Sequence, residues 1–180
     1  MIITISGKAG TGKSTVARLL SAKLGLSHYS IGDLMRSMAQ EKSISIMELN
    51  KRAENDKSID IELDKKLKLL GEKKDDFIVD GRLAAHFIPH ADARVFLNAD
   101  DVVRAERIMK DDRNHERSAS LKAMLGSIKE REDSEKARYV SYYGVDYLDK
   151  RLYNCIIETT KLTPDEVAGR ILKFVKNLLI

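Results

Sequence analysis

The chain has 180 residues, a third of them charged, with a net charge of only +4 and two prolines against ten glycines. That length suits one compact domain with a real core and leaves hardly any room for a second independent fold. The basic excess is too weak to argue for nucleic acid, and an anionic small molecule accounts for it equally well.

Met1 to Ser6 is short, apolar and β-branched, as a buried strand should be. It runs into Gly7-Lys8-Ala9-Gly10-Thr11-Gly12-Lys13-Ser14, two glycines around four residues followed by Lys-Ser, and Thr15 to Leu24 then carries apolar residues at helical spacing. Strand, phosphate loop and helix thus occur in the required order. Glycines let successive N–H groups turn toward phosphate oxygens, and the helix adds the positive end of its dipole. Residues Gly7 to Thr15 are therefore the expected site of a nucleoside triphosphate. Lys13 is expected to reach its β- and γ-phosphates, and the Ser14 hydroxyl to ligand Mg²⁺.

Ser27 to Ile31 reads as a second strand ending at Gly32-Asp33, where a helix opens with an acidic residue in its first turn. Residues 33–41, 45–56 and 59–74 read as helices. Phe77 to Asp80 is a buried strand ending on a carboxylate, Gly81-Arg82 a turn, and Arg94 to Leu97 another strand. A helix from Asp101 to Lys110 follows, then an interruption at Asp111 to Asn114, then a long helix from Ser118 to Val140. Arginines recur here at 104, 107, 113, 117, 131 and 138. Tyr153 to Thr159 is the last strand. It holds Cys155, the single cysteine, which rules out an intrachain disulfide and reads as a buried hydrophobe beside Ile156 and Ile157. Thr163-Pro164-Asp165-Glu166 starts the final helix with a cap, a first-position proline and a capping-box glutamate. Pro89 between His86 and His90 argues against a zinc site.

Strands alternating with helices imply a five-stranded parallel sheet covered on both faces, an α/β fold of the P-loop NTPase kind. Ligands in such folds sit beyond the carboxyl ends of the strands, where the phosphate loop, Gly32-Asp33 and Asp80-Gly81-Arg82 all fall. No Asn-Lys-x-Asp element for reading guanine is present, and the third strand ends on Asp-Gly-Arg, better suited to a second anion than to an ATPase acidic pair. No run is apolar enough to span a membrane and no signal peptide is read at the start, so a cytoplasmic protein is expected.

Ser30-Ile31-Gly32-Asp33-Leu34-Met35-Arg36 resembles the Ser-x-Gly-Asp-x-x-Arg element of nucleoside monophosphate kinases. The whole chain from Ile3 through Thr159 resembles the short archaeal-type cytidylate kinases. The resemblance runs through Asn50-Lys51-x-Ala53-Glu54, Ile59-Asp60, Gly81-Arg82-Leu83, Arg104-Ala105-x-Arg107-Ile108, Arg131-Glu132-x-Ser134-Glu135-x-x-Arg138-Tyr139 and Tyr143-Gly144-Val145-Asp146. Adenylate kinases carry Asp-Gly-Phe-Pro-Arg where this chain has Asp80-Gly81-Arg82-Leu83. Two departures stand out: several archaeal relatives have threonine in place of Lys13, and an aspartate in place of Asn154. The insert is also shorter than that of bacterial cytidylate kinases, which points to less strict base selection.

The resemblance implies one domain over residues 1–180: a core of 1–31, 75–110 and 141–180, a helical monophosphate-binding insert at 32–74, and a lid at about 111–140. It implies transfer of the γ-phosphate of ATP, with Mg²⁺, to CMP, and also to dCMP or UMP. Partners are these nucleotides, without nucleic acid or membrane, and the enzyme is a monomer. Ser30, Gly81, Arg36, Arg82 and Arg131 would surround the acceptor, with Arg138 recognising base or phosphate and Asp33 or Glu135 holding ribose or base. Arg113, with Arg104 and Arg107, would meet the donor phosphates from the lid. Ser14 and Asp80 would serve the metal, Asp80 being readable also as a strand-end or capping carboxylate. Rival readings are an adenylate kinase, a P-loop kinase of another small molecule such as shikimate or dephospho-coenzyme A, and a nucleotide-dependent switch without an acceptor.

Overall fold

The computed structural model describes residues 1–73, 76–111 and 120–178. Strands β1 (Ile2–Gly7), β2 (Ser27–Ser30), β3 (Phe77–Asp80), β4 (Ala93–Asn98) and β5 (Cys155–Glu158) form one parallel sheet in the order β2-β3-β1-β4-β5. β1 is central and buried along its whole length, as a strand covered on both faces must be.

Alternation along the strands splits the core into two layers. Ile3, Ile5, Ile78, Val95, Leu97 and Ile157 pack with Val16 and Leu20 of α1 (Lys13–Leu24) and Val167 and Ile171 of α8 (Pro164–Leu178). Ile2, Phe77 and Val79 point the other way, onto Leu67 of α4 (Lys57–Lys73) and Ala84 of α5 (Ala84–Phe87). Between β2 and β3 the chain adds α2 (Ile31–Glu41), α3 (Ile46–Ala53) and α4, which share a further apolar cluster around Met35, Met38, Leu49 and Leu63. Helices α6 (Asp101–Lys110) and α7 (Leu121–Tyr143) close over the phosphate loop through Ala9, Ile108, Met124 and Ile128. The chain leaves β1 toward one edge and β3 toward the other. Because α1 then packs on one face of the sheet and α5 on the other, a crevice opens at the carboxyl ends of these two paired strands.

The expected capping box is present: Thr163 Oγ1 accepts from the Glu166 N–H at 3.3 Å, and Glu166 Oε2 from the Thr163 N–H at 2.7 Å. Other boundaries differ from expectation. α2 begins at Ile31 because Ser30 Oγ caps it, accepting from the Asp33 N–H. α7 runs on to Tyr143, where Gly144 closes it in the left-handed conformation at φ 65°, so a lid boundary at 140 would cut one continuous helix. β5 starts only at Cys155. Tyr153 stacks on Phe96 with ring centres 4.8 Å apart, and Asn154 accepts from the Arg94 N–H while donating to the Asp92 carbonyl. An aspartate could make only the first of those bonds. Cys155 is buried in the core, and burial raises its thiol pKa.

Candidate active site

A cleft of about 350 Å³ joins the phosphate loop to α2, α4, the turn after β3, and α7. The loop is shaped by its backbone. Gly10 sits at φ 75° with its α-carbon against α6, so a Cβ there would fall 2.4 Å from the Arg104 carbonyl oxygen. Gly12, at φ 89°, occupies the N-cap of α1 without any side-chain cap, leaving the first N–H groups of the helix to a ligand. Thr11 Oγ1 and Lys13 Nζ both donate to the Lys8 carbonyl, at 2.9 and 2.7 Å, so Lys13 folds back along the loop. Burial, reinforced by the Arg82 charge and partly offset by Asp80 and Glu135, lowers the Lys13 ammonium to about 7.

Ser14 and Asp80 meet as expected: Ser14 Oγ donates to Asp80 Oδ2 at 2.8 Å. Ser30 Oγ donates to the same oxygen at 3.3 Å, and His28 Nε2 lies 2.7 Å from Oδ1. His28 was not foreseen, although it stands two residues before Ser30 and so on the same face of β2. Two hard oxygens, one hydroxyl and one carboxylate, suit Mg²⁺, which keeps its remaining positions for phosphates and water. No group of three or more His, Cys, Asp or Glu suited to a metal occurs among the described residues.

Across the cleft, Glu135 is buried between two arginines. Arg82 Nε donates to its Oε2, and Arg131 Nε to its Oε1 at 3.0 Å. Burial opposes ionisation of Glu135, but the Arg82 and Arg131 charges overcome it and hold its pKa below the usual range. The Arg82 pKa is correspondingly raised: burial works against it, and Glu135 prevails. Among the described residues the buried Nη2 of Arg82 finds no hydrogen-bond partner, and Arg82 lines the cleft. Each oxygen takes one guanidinium group, so Glu135, which also lines the cleft, brackets Arg82 and Arg131. Arg36 lines the cleft near Gly32 and pairs with Asp33, which itself stays outside the lining.

Other residues stand elsewhere than expected. Arg138 does not line the cleft. It lies behind it, donating to Asp60 Oδ2 at 2.9 Å, the Asn50 carbonyl at 3.2 Å and Ser134 Oγ at 2.8 Å, and so ties α7 to the insert. Arg104, 1% exposed, lies beneath the phosphate loop: it donates to the Ala9 carbonyl at 3.0 Å and pairs with Glu132 and Asp101. Lys8, expected to touch the donor, is 3.3 Å from Glu132. Arg107 does line the cleft, bonded to Thr159 beside Leu162 and Pro164. Arg113 and Arg117 lie outside the described residues. Asp60 and Asp64 line the cleft without having been singled out as site residues; their spacing of four on one helix was the available signal.

A central strand feeding a phosphate loop, with arginines gathered on the facing wall of the same cleft, defines a P-loop kinase. The model of the cytidylate kinase-like family matches residues 2–161. The chain is 44% identical over 168 residues to a cytidylate kinase of Natronomonas pharaonis, covering 93% of this chain and 85% of that one. It is 41% identical over 161 residues to a cytidylate kinase of Methanothermobacter thermautotrophicus, covering 89% and 96%. A solved shikimate kinase from Bacteroides thetaiotaomicron superposes with a TM-score of 0.70 over 98% of both chains at 14% identity, a likeness of fold. The chain belongs to the cytidylate kinase-like family.

Proposed function

We propose that this enzyme transfers the γ-phosphoryl group of ATP to CMP, and also to dCMP and, less well, to UMP, giving ADP and the nucleoside diphosphate. The observation that carries the reading is the single cleft with Lys13 and Ser14 on one wall and Arg36, Arg82 and Arg131 on the other. The acceptor phosphate is already an anionic nucleophile, so no general base is needed. One of its oxygens bonds to the γ-phosphorus as the bond to the ADP oxygen breaks, and the protein's task is to hold two polyanions in line. Lys13 follows the transferring charge. The guanidinium forks of Arg36, Arg82 and Arg131, two of them aimed by Glu135, seat the acceptor phosphate. Mg²⁺ held through Ser14 and Asp80 would neutralise charge between the donor phosphates, with His28 and Ser30 fixing the Asp80 carboxylate. The donor base would rest against Arg107, Leu162 and Pro164.

In this reading one domain spans the chain, with residues 32–74 as the monophosphate-binding insert. α7, tied to the loop side through Glu132 and to the insert through Arg138, forms an acceptor wall and not a separately moving lid. The enzyme works as a monomer on free nucleotides in the cytoplasm, in keeping with the absence, among the described residues, of any helix long and apolar enough to cross a membrane.

A coupled assay of ADP formation over CMP, dCMP, UMP, AMP and GMP tests the proposal. CMP should lead. Equal kcat/KM for AMP and CMP would make the enzyme an adenylate kinase, and ATP consumption without any monophosphate would make it a switch.

A further inference from the structure

Asp60 and Asp64 stand one turn apart on α4, both buried, and line the cleft together with Leu63 and Leu67. The charge on Asp60 is met by Arg138 at 2.9 Å. Asp64 is different: among the described residues the Tyr143 hydroxyl donates to its Oδ2, and no lysine or arginine pairs with it. A buried carboxylate without a cation is expensive to keep, and in a ligand cleft the missing donor is one the ligand brings. The charges also set the direction of that ligand. A phosphate is drawn to Arg36, Arg82 and Arg131 and repelled by two carboxylates, so the base end of the acceptor lies toward α4, among Met35, Leu63 and Leu67.

We propose that Asp64 is the specificity-determining residue of the acceptor site, accepting a hydrogen bond from the exocyclic amine of a 4-amino pyrimidine and rejecting a 4-oxo ring; this rests on reading the cleft as a pyrimidine monophosphate site. An ionised carboxylate only accepts. It matches an amine N–H and faces a ring carbonyl as one acceptor against another. Once protonated it donates, and the carbonyl becomes the better partner. Burial, opposed by the Tyr143 hydrogen bond and reinforced by the Asp60 charge, pushes the Asp64 carboxyl up to about 6. The charged and titratable groups facing it are Asp60 and Lys68 from α4 and Tyr143 from α7; Arg138 of α7 pairs with Asp60, and the ring of His86 of α5 lies 6.3 Å from that of Tyr143. His86 titrates below its ordinary 6.5, because of burial and Lys68, and so needs its own control.

The test is the ratio of kcat/KM for CMP to that for UMP, measured with the full chain from about pH 5 to about pH 8. Ionisation of the monophosphate itself, with a pKa of about 6, is common to both substrates and cancels in the ratio. One unit below its pKa only about one carboxyl in ten is ionised, so the CMP preference should fall by about tenfold or more across this range. The midpoint should lie at about 6. Tyr143→Phe, which removes the bond favouring the ionised form, should move the midpoint upward. Asp64→Asn, whose amide both donates and accepts, should level the preference and flatten the profile, while His86→Gln should leave it in place. A CMP preference independent of pH, or unchanged in Asp64→Asn, overturns the inference and leaves the cytidylate reading standing. No phosphorylation of CMP at any pH overturns that reading itself. Should Asp64→Asn fail to fold, the wild-type and Tyr143→Phe profiles still decide.

Discussion

Glu135→Gln isolates one buried charge on which the acceptor wall depends. The carboxylate is 2% exposed and holds Arg82 and Arg131 through separate oxygens. Glutamine keeps the shape and one carbonyl acceptor but removes the negative charge that Glu135 sets against Arg82 and Arg131. Removing one partner of a buried ion pair costs about 3–5 kcal/mol. In a chain of this size 1 kcal/mol moves Tm by about 2–4 °C, so the variant should melt about 6–20 °C lower. Two signatures separate this from a mere packing defect. The first is pH: Glu135 titrates below its ordinary 4.5 in the folded protein, so its stabilisation is complete above that value and is lost as pH falls through the depressed one. The gap between wild type and variant should be full at pH 7 and close below pH 4.5. The second is charge. A bound monophosphate supplies the missing anion, so CMP should raise the Tm of the variant more than that of the wild type. Thermal melting at low salt, with and without CMP, reads both. A variant melting within about 2 °C of wild type at pH 7, or stabilised equally by CMP, would refute the reasoning.

Lys13→Met should abolish transfer while leaving the fold intact, because it removes the charge that follows the phosphoryl group and no core contact. Lys13 titrates at about 7 when folded against an ordinary 10.5, so between these values the unfolded chain binds more protons and wild-type stability rises with pH. The Met variant should therefore exceed wild type in urea stability at pH 7, with the gap narrowing toward pH 10.5; near-normal turnover, or a gap that ignores pH, would count against this. Arg104→Met should raise KM for ATP about tenfold to a hundredfold, the worth of one charge-assisted hydrogen bond to the Ala9 carbonyl. KM for CMP should change little, and an equal rise in both would show that Arg104 supports the fold at large.

The sheet, the phosphate loop and the final helix could be read from the chain because each is governed by contacts close in sequence. Ile2 to Ile5 is an unbroken β-branched stretch, Gly10 and Gly12 admit backbone angles that other residues resist, and Thr163 and Glu166 cap each other across three residues. The meeting of Ser14 with Asp80 was readable for a related reason: Asp80 ends β3, and Ser14 stands in the first turn of the helix that follows the loop at the end of the adjacent parallel strand β1. The tertiary structure decided which arginines face the ligand. Arg82, Arg104, Arg131 and Arg138 are alike as residues, yet two share Glu135 at the cleft, one lies under the loop on the Ala9 carbonyl, and one is spent on Asp60. A guanidinium's role is set by whichever carboxylate or carbonyl lies within about 3 Å of it. Glu135 stands one helical turn from Arg131, but the partners that fix Arg82, Arg104 and Arg138 are 53, 95 and 78 residues away in the chain. The same holds for Asp64. Its spacing from Asp60 announced a shared helical face, but that the face turns into a cleft, with a tyrosine hydroxyl bonded to the carboxylate and, among the described residues, no lysine or arginine paired with it, follows only from how α4 packs against α7.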